Sequence, residues 1–125
     1  MLGLGDAAGR PVGTLPYGHR KVLEIGCAVA TRPLALLLDE PAAGLHGAQS
    51  GWVAEAIAAL RHELGITIVV IEHDVGLVRS VSDRIYVLDF GRLLTAGRPD
   101  EVLARPEVIE AYLGQPVAAP GTALS

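Results

Sequence analysis

Two places in this chain put ionisable side chains at the end of an apolar run. The first is Asp39-Glu40, after Leu34-Ala35-Leu36-Leu37-Leu38. The second is Glu72-His73-Asp74, after Ile66-Thr67-Ile68-Val69-Val70-Ile71. Adjacent carboxylates suit two tasks of phosphoryl transfer: one holds magnesium, usually through water, while its neighbour polarises the attacking water. A histidine at a neighbouring strand end could reach a terminal phosphate. On a purely structural reading Asp39 and Glu40 only open the next loop, and Asp-Glu-Pro after a single apolar strand favours the chemical reading only somewhat. A third candidate is Leu15-Pro16-Tyr17-Gly18-His19, ahead of a helical pattern. Glycine at a helix entry lets backbone N–H groups approach an anion, and the helix dipole favours phosphate there. Glycine before a helix is also common and usually structural.

These residues need elements to hold them, and the apolar spacing supplies candidates. Residues 1–18 are rich in Gly and Pro and read as a loop. Val22, Ile25 and Val29 recur at helical spacing between His19 and Thr31. The apolar run after Pro33 has the length of a strand buried on both faces, as in a parallel sheet. Val53, Ile57, Leu60 and Leu64 form one stripe of a helix over about residues 48–64, with Gly65 as its C-terminal stop. The β-branched run Ile66–Ile71 is the strongest strand signal. A short helix from Asp74 to about Val81 follows, then a hairpin of Ile85–Leu88 and Leu93–Ala96 around Asp89-Phe90-Gly91-Arg92, at the sheet edge. Pro99 and Pro106 occupy first-helical positions of two short helices, the second closed by Gly114. Gln115–Ser125 has the composition of a tail. Strand and helix alternate, so the fold class is α/β with a largely parallel sheet and flanking helices. Ligands of such sheets bind at the carboxyl ends of the strands, where both ionisable clusters lie.

Composition narrows the classes further. The chain has 125 residues, half of them hydrophobic, which is enough apolar material for a core. A net charge of -4 without a basic stripe argues against a nucleic-acid partner. The single cysteine, Cys27, cannot form an intrachain disulfide, which suits a reducing compartment. No apolar run approaches the ~20 residues needed to span a bilayer. The expectation is a soluble, cytoplasmic chain whose membrane role comes through a partner. The four histidines lack zinc-site spacing. Asp89-Phe90-Gly91, though it matches a kinase magnesium motif, sits between two apolar strands and reads as a hairpin turn. His62 reads as solvated, Cys27 as a small packing residue, and Trp52 as a core or interface anchor.

The ordered set is more specific than any member. Leu15-Pro16-Tyr17-Gly18-His19 resembles the signature motif of ABC ATPases, and Leu34–Glu40 resembles their Walker B strand with its catalytic glutamate. Ala42-Ala43-Gly44-Leu45-His46 is similar to the D-loop, and Ile71-Glu72-His73-Asp74 to the switch-histidine loop. Ser82-Asp83-Arg84-Ile85, Gly97–Val102 and Pro106–Gly114 continue the resemblance, the last two into the ending of branched-chain amino-acid transporter ATPases. About residues 10–114 are covered.

The resemblance implies the C-terminal half of a P-loop-type ABC ATPase domain. Residues 1–31 would end a helical subdomain with the signature motif. Residues 32–97 would form the Walker B to switch-histidine core, 98–114 the C-terminal helices and 115–125 a tail. It implies ATP and Mg2+ as cofactors, Asp39 in the magnesium shell, Glu40 on the hydrolytic water and His73 on the γ-phosphate. Tyr17, Gly18 and His19 would face ATP held by a second ABC ATPase subunit, Gly18 through its backbone N–H; Gly44 and Leu45 would lie at that dimer interface. Transmembrane permease subunits would be the other partners, holding the chain at the inner face of the membrane, and the imported solutes would be branched-chain amino acids or similar compounds.

Pro16, His19, Cys27 and His46 depart from the family pattern, without removing Glu40 or His73. A larger departure is that Lys21, the chain's one lysine, stands in no Gly-x-x-x-x-Gly-Lys-Ser/Thr sequence, so these 125 residues hold no phosphate-cradling P-loop. That motif, the base-stacking aromatic and the Q-loop are expected upstream of Met1. The alternative reading is a non-hydrolysing fragment or partner-binding domain that keeps the ABC fold. The related ATPases of DNA repair are a third class, but they carry long coiled coils, and no heptads occur here.

Overall fold

The apolar run after Pro33 forms β1 (Ala35–Asp39), and the β-branched run forms β2 (Thr67–Ile71), in the computed structural model, which describes residues 2–112. The two pair in parallel, from Ala35 opposite Thr67 to Asp39 opposite Ile71. Ahead of them lie two single turns of 3-10 helix and α1 (Tyr17–Val29); α2 (Ala48–Leu64) makes the crossover between them, and α3 (Val75–Val81) follows β2. Gly65 ends α2 in the left-handed conformation, at φ 61°, and returns its N–H to the Arg61 carbonyl. A residue with a Cβ would resist that geometry, which is why a glycine stands there.

The chain divides into two compact units, Met1–Val81 and Ser82–Ser125. The core of the first is built on α2, where Val53, Ala56, Ile57 and Leu60 are buried. Val22 and Ile25 from α1, Leu36 from β1, Leu45 from the loop after it, and Leu77 and Val81 from α3 join them. Leu64, the last position of the expected α2 stripe, is exposed instead, and Ala56 takes a core place. Cys27 is also exposed, on the side of α1 away from Val22 and Ile25, so it is not a packing residue here.

The strand pair corrects one expectation. Leu36 is buried, but Leu37 beside it is 75% exposed and Ile71 of β2 is 62% exposed. Side chains alternate across a strand, and the helices of this unit cover one face only. The apolar run that reads as doubly buried is covered on one side within the described residues.

In the second unit β3 (Ile85–Asp89) and β4 (Arg92–Gly97) form an antiparallel hairpin, a separate two-stranded sheet among the described residues. Its two turn residues, Phe90 and Gly91, both have positive φ, 48° and 76°. That is the twist-matched form of a two-residue hairpin turn, and it settles Asp89-Phe90-Gly91 as a turn. A register shift beside Val87 and Leu88 completes the hairpin. Short helices α4 (Pro99–Leu103) and α5 (Pro106–Tyr112) follow, the first with Pro99 at its start and Asp100 and Glu101 in its first turn, where they favour the helix dipole. Val102 and Val108 are buried, and Arg105 Nη1 donates to Thr95 Oγ1. The expected closure at Gly114 and the tail from Gln115 lie outside the described residues.

The α2 core and the open face of the strand pair predict different responses to substitution. Leu60→Ala should cost about 2–5 kcal/mol, because Leu60 is wholly buried and its neighbours cannot fill the space. Leu37→Lys should change stability by less than about 0.5 kcal/mol, and should reduce self-association by breaking the open apolar face. Thermal melts and sedimentation at two concentrations read both. A Leu37→Lys penalty matching that of Leu60→Ala would mean the face is covered in solution.

Candidate functional site

The parallel register sets the site. Asp39 closes β1 opposite Ile71, and the Glu40 N–H extends the ladder by donating to the Ile71 carbonyl at 2.8 Å. The two residues that leave the strand ends next, Glu40 and Glu72-His73, are therefore neighbours. His73 Nδ1 lies 3.3 Å from Glu40 Oε1, with both side chains more than half exposed. Asp39 is exposed beside them.

Glu40 has a backbone φ of 47°, in the left-handed region that non-glycine residues seldom occupy. Such a conformation costs about 1–3 kcal/mol and persists only where neighbours enforce it. Here the loop closes at once: the Ala43 N–H donates to the Glu40 carbonyl, and the Leu45 N–H to that of Ala42. The strand thus ends in a sharp turn at Glu40.

Glu72 ties the two strand ends together. Its Oε1 accepts the Ala42 N–H at 2.9 Å, and its Oε2 accepts the N–H groups of His73 and Asp74 at 3.2 and 3.4 Å. Asp74 Oδ1 in turn accepts the Leu77 N–H, capping α3. By sequence alone Glu72 is only a member of its motif, Ile71-Glu72-His73-Asp74. The available signal was its chemistry: a carboxylate is acceptor-only, and two chains ending side by side present free N–H groups.

The helix entry is held differently. Pro16 is the N-cap of α1 and provides no side-chain acceptor, so the N–H groups of Tyr17, Gly18 and His19 have neither a cap nor an intrahelical partner. Gly18 is buried against α2, and a Cβ there would stand 2.8 Å from Trp52 Cε3 and 3.0 Å from Gln49 Cβ. The His19 ring stacks on Trp52 at a centroid distance of 4.3 Å, tilted by 33°. Trp52 is thus the anchor that seats this segment. The guanidinium of Arg20 and the ammonium of Lys21 both lie within 6 Å of the centre of the Tyr17 ring. Its ring also faces Gly44, where an added Cβ would stand 3.4 Å from Tyr17 Cε1. Tyr17 and Gly44, far apart in sequence, meet. Leu45 is buried in the core.

A model of the branched-chain amino acid ATP-binding cassette transporter family matches residues 92–118. The chain is 45% identical to the high-affinity branched-chain amino acid transport ATP-binding protein BraF of Pseudomonas aeruginosa, over 91% of this chain and 45% of that protein. It is equally similar to LivG of Escherichia coli, at 45% identity over the same shares. It carries the C-terminal half of an ABC-type ATP-binding domain. Among solved structures, MJ1267, an ATP-binding cassette of an ABC transporter in its ADP conformation, superposes with a TM-score of 0.80 at 33% identity. That match covers 91% of this chain and 46% of MJ1267. A second, cbiO1 of Clostridium perfringens, gives a TM-score of 0.77 at 33% identity over 87% of this chain. The chain spans about half the length of the curated relatives it matches.

The ABC half-domain has no helix among its described residues long and apolar enough to cross a membrane. Nor do its described residues gather three or more His, Cys, Asp or Glu side chains around one point. Magnesium does not need such a cluster. It binds through one or two carboxylates and completes its shell with water and phosphate oxygens, so a single exposed Asp39 at a strand end fits it.

The Gly18–Trp52 contact yields a prediction. Gly18→Ala should destabilise the half-domain by about 1–3 kcal/mol, as overpacking does. The penalty should shrink when Trp52→Ala opens the space, a coupling that a double-mutant cycle of thermal unfolding measures. Additive penalties would mean that α1 and α2 do not meet through this pair.

Proposed function

We propose that this chain is the catalytic-carboxylate half of the ATPase subunit of an ABC importer for branched-chain amino acids or similar solutes. The observation that carries the reading is the Glu40–His73 pair, 3.3 Å apart at adjoining parallel strand ends. Relatives named as branched-chain amino acid transport ATP-binding proteins support the solute class.

In this reading Glu40 orients the attacking water and accepts its proton, and Asp39 would hold magnesium. When bound, MgATP supplies the transferable phosphoryl group and the charge that the metal neutralises. His73 Nδ1 lies 3.3 Å from Glu40 Oε1, which leaves Nε2 on the opposite edge of the ring, where it would face a γ-phosphate oxygen. The uncapped amides of Gly18 and His19, with Tyr17 beside them, face nucleotide held by a second subunit, which Gly44 and the Leu45 backbone approach. Permease subunits then hold the pair at the inner face of the membrane.

A second reading has an observation of its own. These 125 residues contain no P-loop sequence, so the chain by itself should neither bind ATP tightly nor turn it over. Magnesium-dependent hydrolysis by the isolated chain, abolished by Glu40→Gln, would refute that.

The main test completes the domain with the P-loop half of the Escherichia coli relative. Glu40→Gln should then lower turnover by on the order of 10²–10⁴-fold, the usual cost of losing a general base. It should also trap ATP in a nucleotide-dependent dimer on a sizing column. Asp39→Asn should instead weaken magnesium-nucleotide binding. Hydrolysis at the parental rate by Glu40→Gln would withdraw the assignment.

A further inference from the structure

We infer that Glu72 is a positioning residue: its carboxylate clamps the loop after Glu40 to the His73 loop and so sets the distance between the two. The inference rests on the proposed roles of Glu40 and His73 for its functional meaning, but the clamp itself rests on geometry alone. One carboxylate spans both strand ends, with Oε1 on the Ala42 N–H and Oε2 on those of His73 and Asp74. Ala42 lies two residues beyond Glu40, whose left-handed backbone needs an external hold to persist. The direct contact between Glu40 and His73 cannot provide that hold. Both side chains are more than half exposed, and exposed ion pairs contribute little. Glu72 is half-buried, and its bonds join a charged acceptor to backbone donors, the stronger kind of hydrogen bond.

The chemistry demands a carboxylate. Three N–H donors converge on two oxygens, so both must accept. A glutamine in the same place keeps one acceptor and turns an NH2 group toward the remaining donors. Glu72→Gln therefore preserves size and removes one arm of the clamp. Glu72→Ala removes both.

Amide hydrogen exchange on the chain itself tests the clamp. In the parent, the Ala42 amide should exchange on the order of 10-fold or more slowly than in Glu72→Ala, as loss of a charge-assisted bond implies. Glu72→Gln should release either Ala42 or the His73 and Asp74 amides. Amides within β1 and β2 should not change. Equal loss of protection across both strands would assign Glu72 a general structural role and overturn the proposal, as would an Ala42 amide unprotected in the parent. In the domain completed with the P-loop half, Glu72→Gln should lower kcat about 10-fold or more with the KM for ATP unchanged. An unchanged kcat would also overturn it. If exchange shows the clamp and Glu40→Gln still hydrolyses ATP, the assignment of Glu40 fails and the clamp stands. If Glu40→Gln is inactive and exchange shows no clamp, the reverse holds.

Discussion

The parallel pairing of β1 with β2 runs in unbroken register from Ala35 and Thr67 to Asp39 and Ile71, and the N–H of Glu40 adds one more rung. Slipping that register by one residue would turn every side chain of a strand to its other face. Leu36 would leave the core, and Glu40 would no longer stand beside His73. Burial of Leu36 against the α2 core thus selects the register, and the register delivers the ionisable residues to one place. A two-stranded sheet is marginal by itself. What fixes it is the crossover helix, whose Val53, Ile57 and Leu60 are almost wholly buried.

The second constraint is the close approach of α1 to α2. Only a glycine leaves room for the Trp52 ring at position 18, so the segment that resembles the signature motif is seated by packing on one side and leaves its first amides free on the other. Pro16 belongs to the same arrangement. Where a serine or aspartate at the N-cap would accept one of those amides, proline leaves them all without a cap, at the loss of its own N–H. His19, the other departure in this motif, stacks on Trp52 and so contributes to seating the segment. His46 is exposed, and nothing in the structure explains its presence.

Much of this was legible in the residues. The 3.6-residue spacing and Gly65 mark α2 closely, the β-branched run marks β2, and Phe90-Gly91 between apolar strands marks a turn. Leu37 shows where legibility stops. A run of five apolar residues states that a strand can be buried on both faces, but not whether anything covers the second face, which depends on elements distant in sequence or absent from it. Leu64 fails for a related reason, since the last turn of a helix can continue an apolar stripe past the edge of its core. The task of Glu72 is invisible in its motif, because its partner is the backbone of Ala42, thirty residues earlier. Backbone donors leave no mark in a sequence; only the strand register reveals which of them lie within reach.

The exposure of the Glu40–His73 pair carries a final consequence. An attraction between half-solvated groups is worth at most about 1 kcal/mol, too little to hold the proposed general base, Glu40, within the tolerance that catalysis requires. The arrangement must then be enforced from the backbone outward: the left-handed turn at Glu40, the ladder bond to Ile71 and the carboxylate of Glu72. This division of labour leaves the side-chain tips of Glu40 and His73 free of tight partners. Tips left open to solvent are available to water and phosphate, and their electrostatic influence grows when a closing surface excludes bulk water. The half-domain therefore holds its candidate groups in position by its own bonds, and leaves to whatever covers them the dry surroundings in which those groups would act.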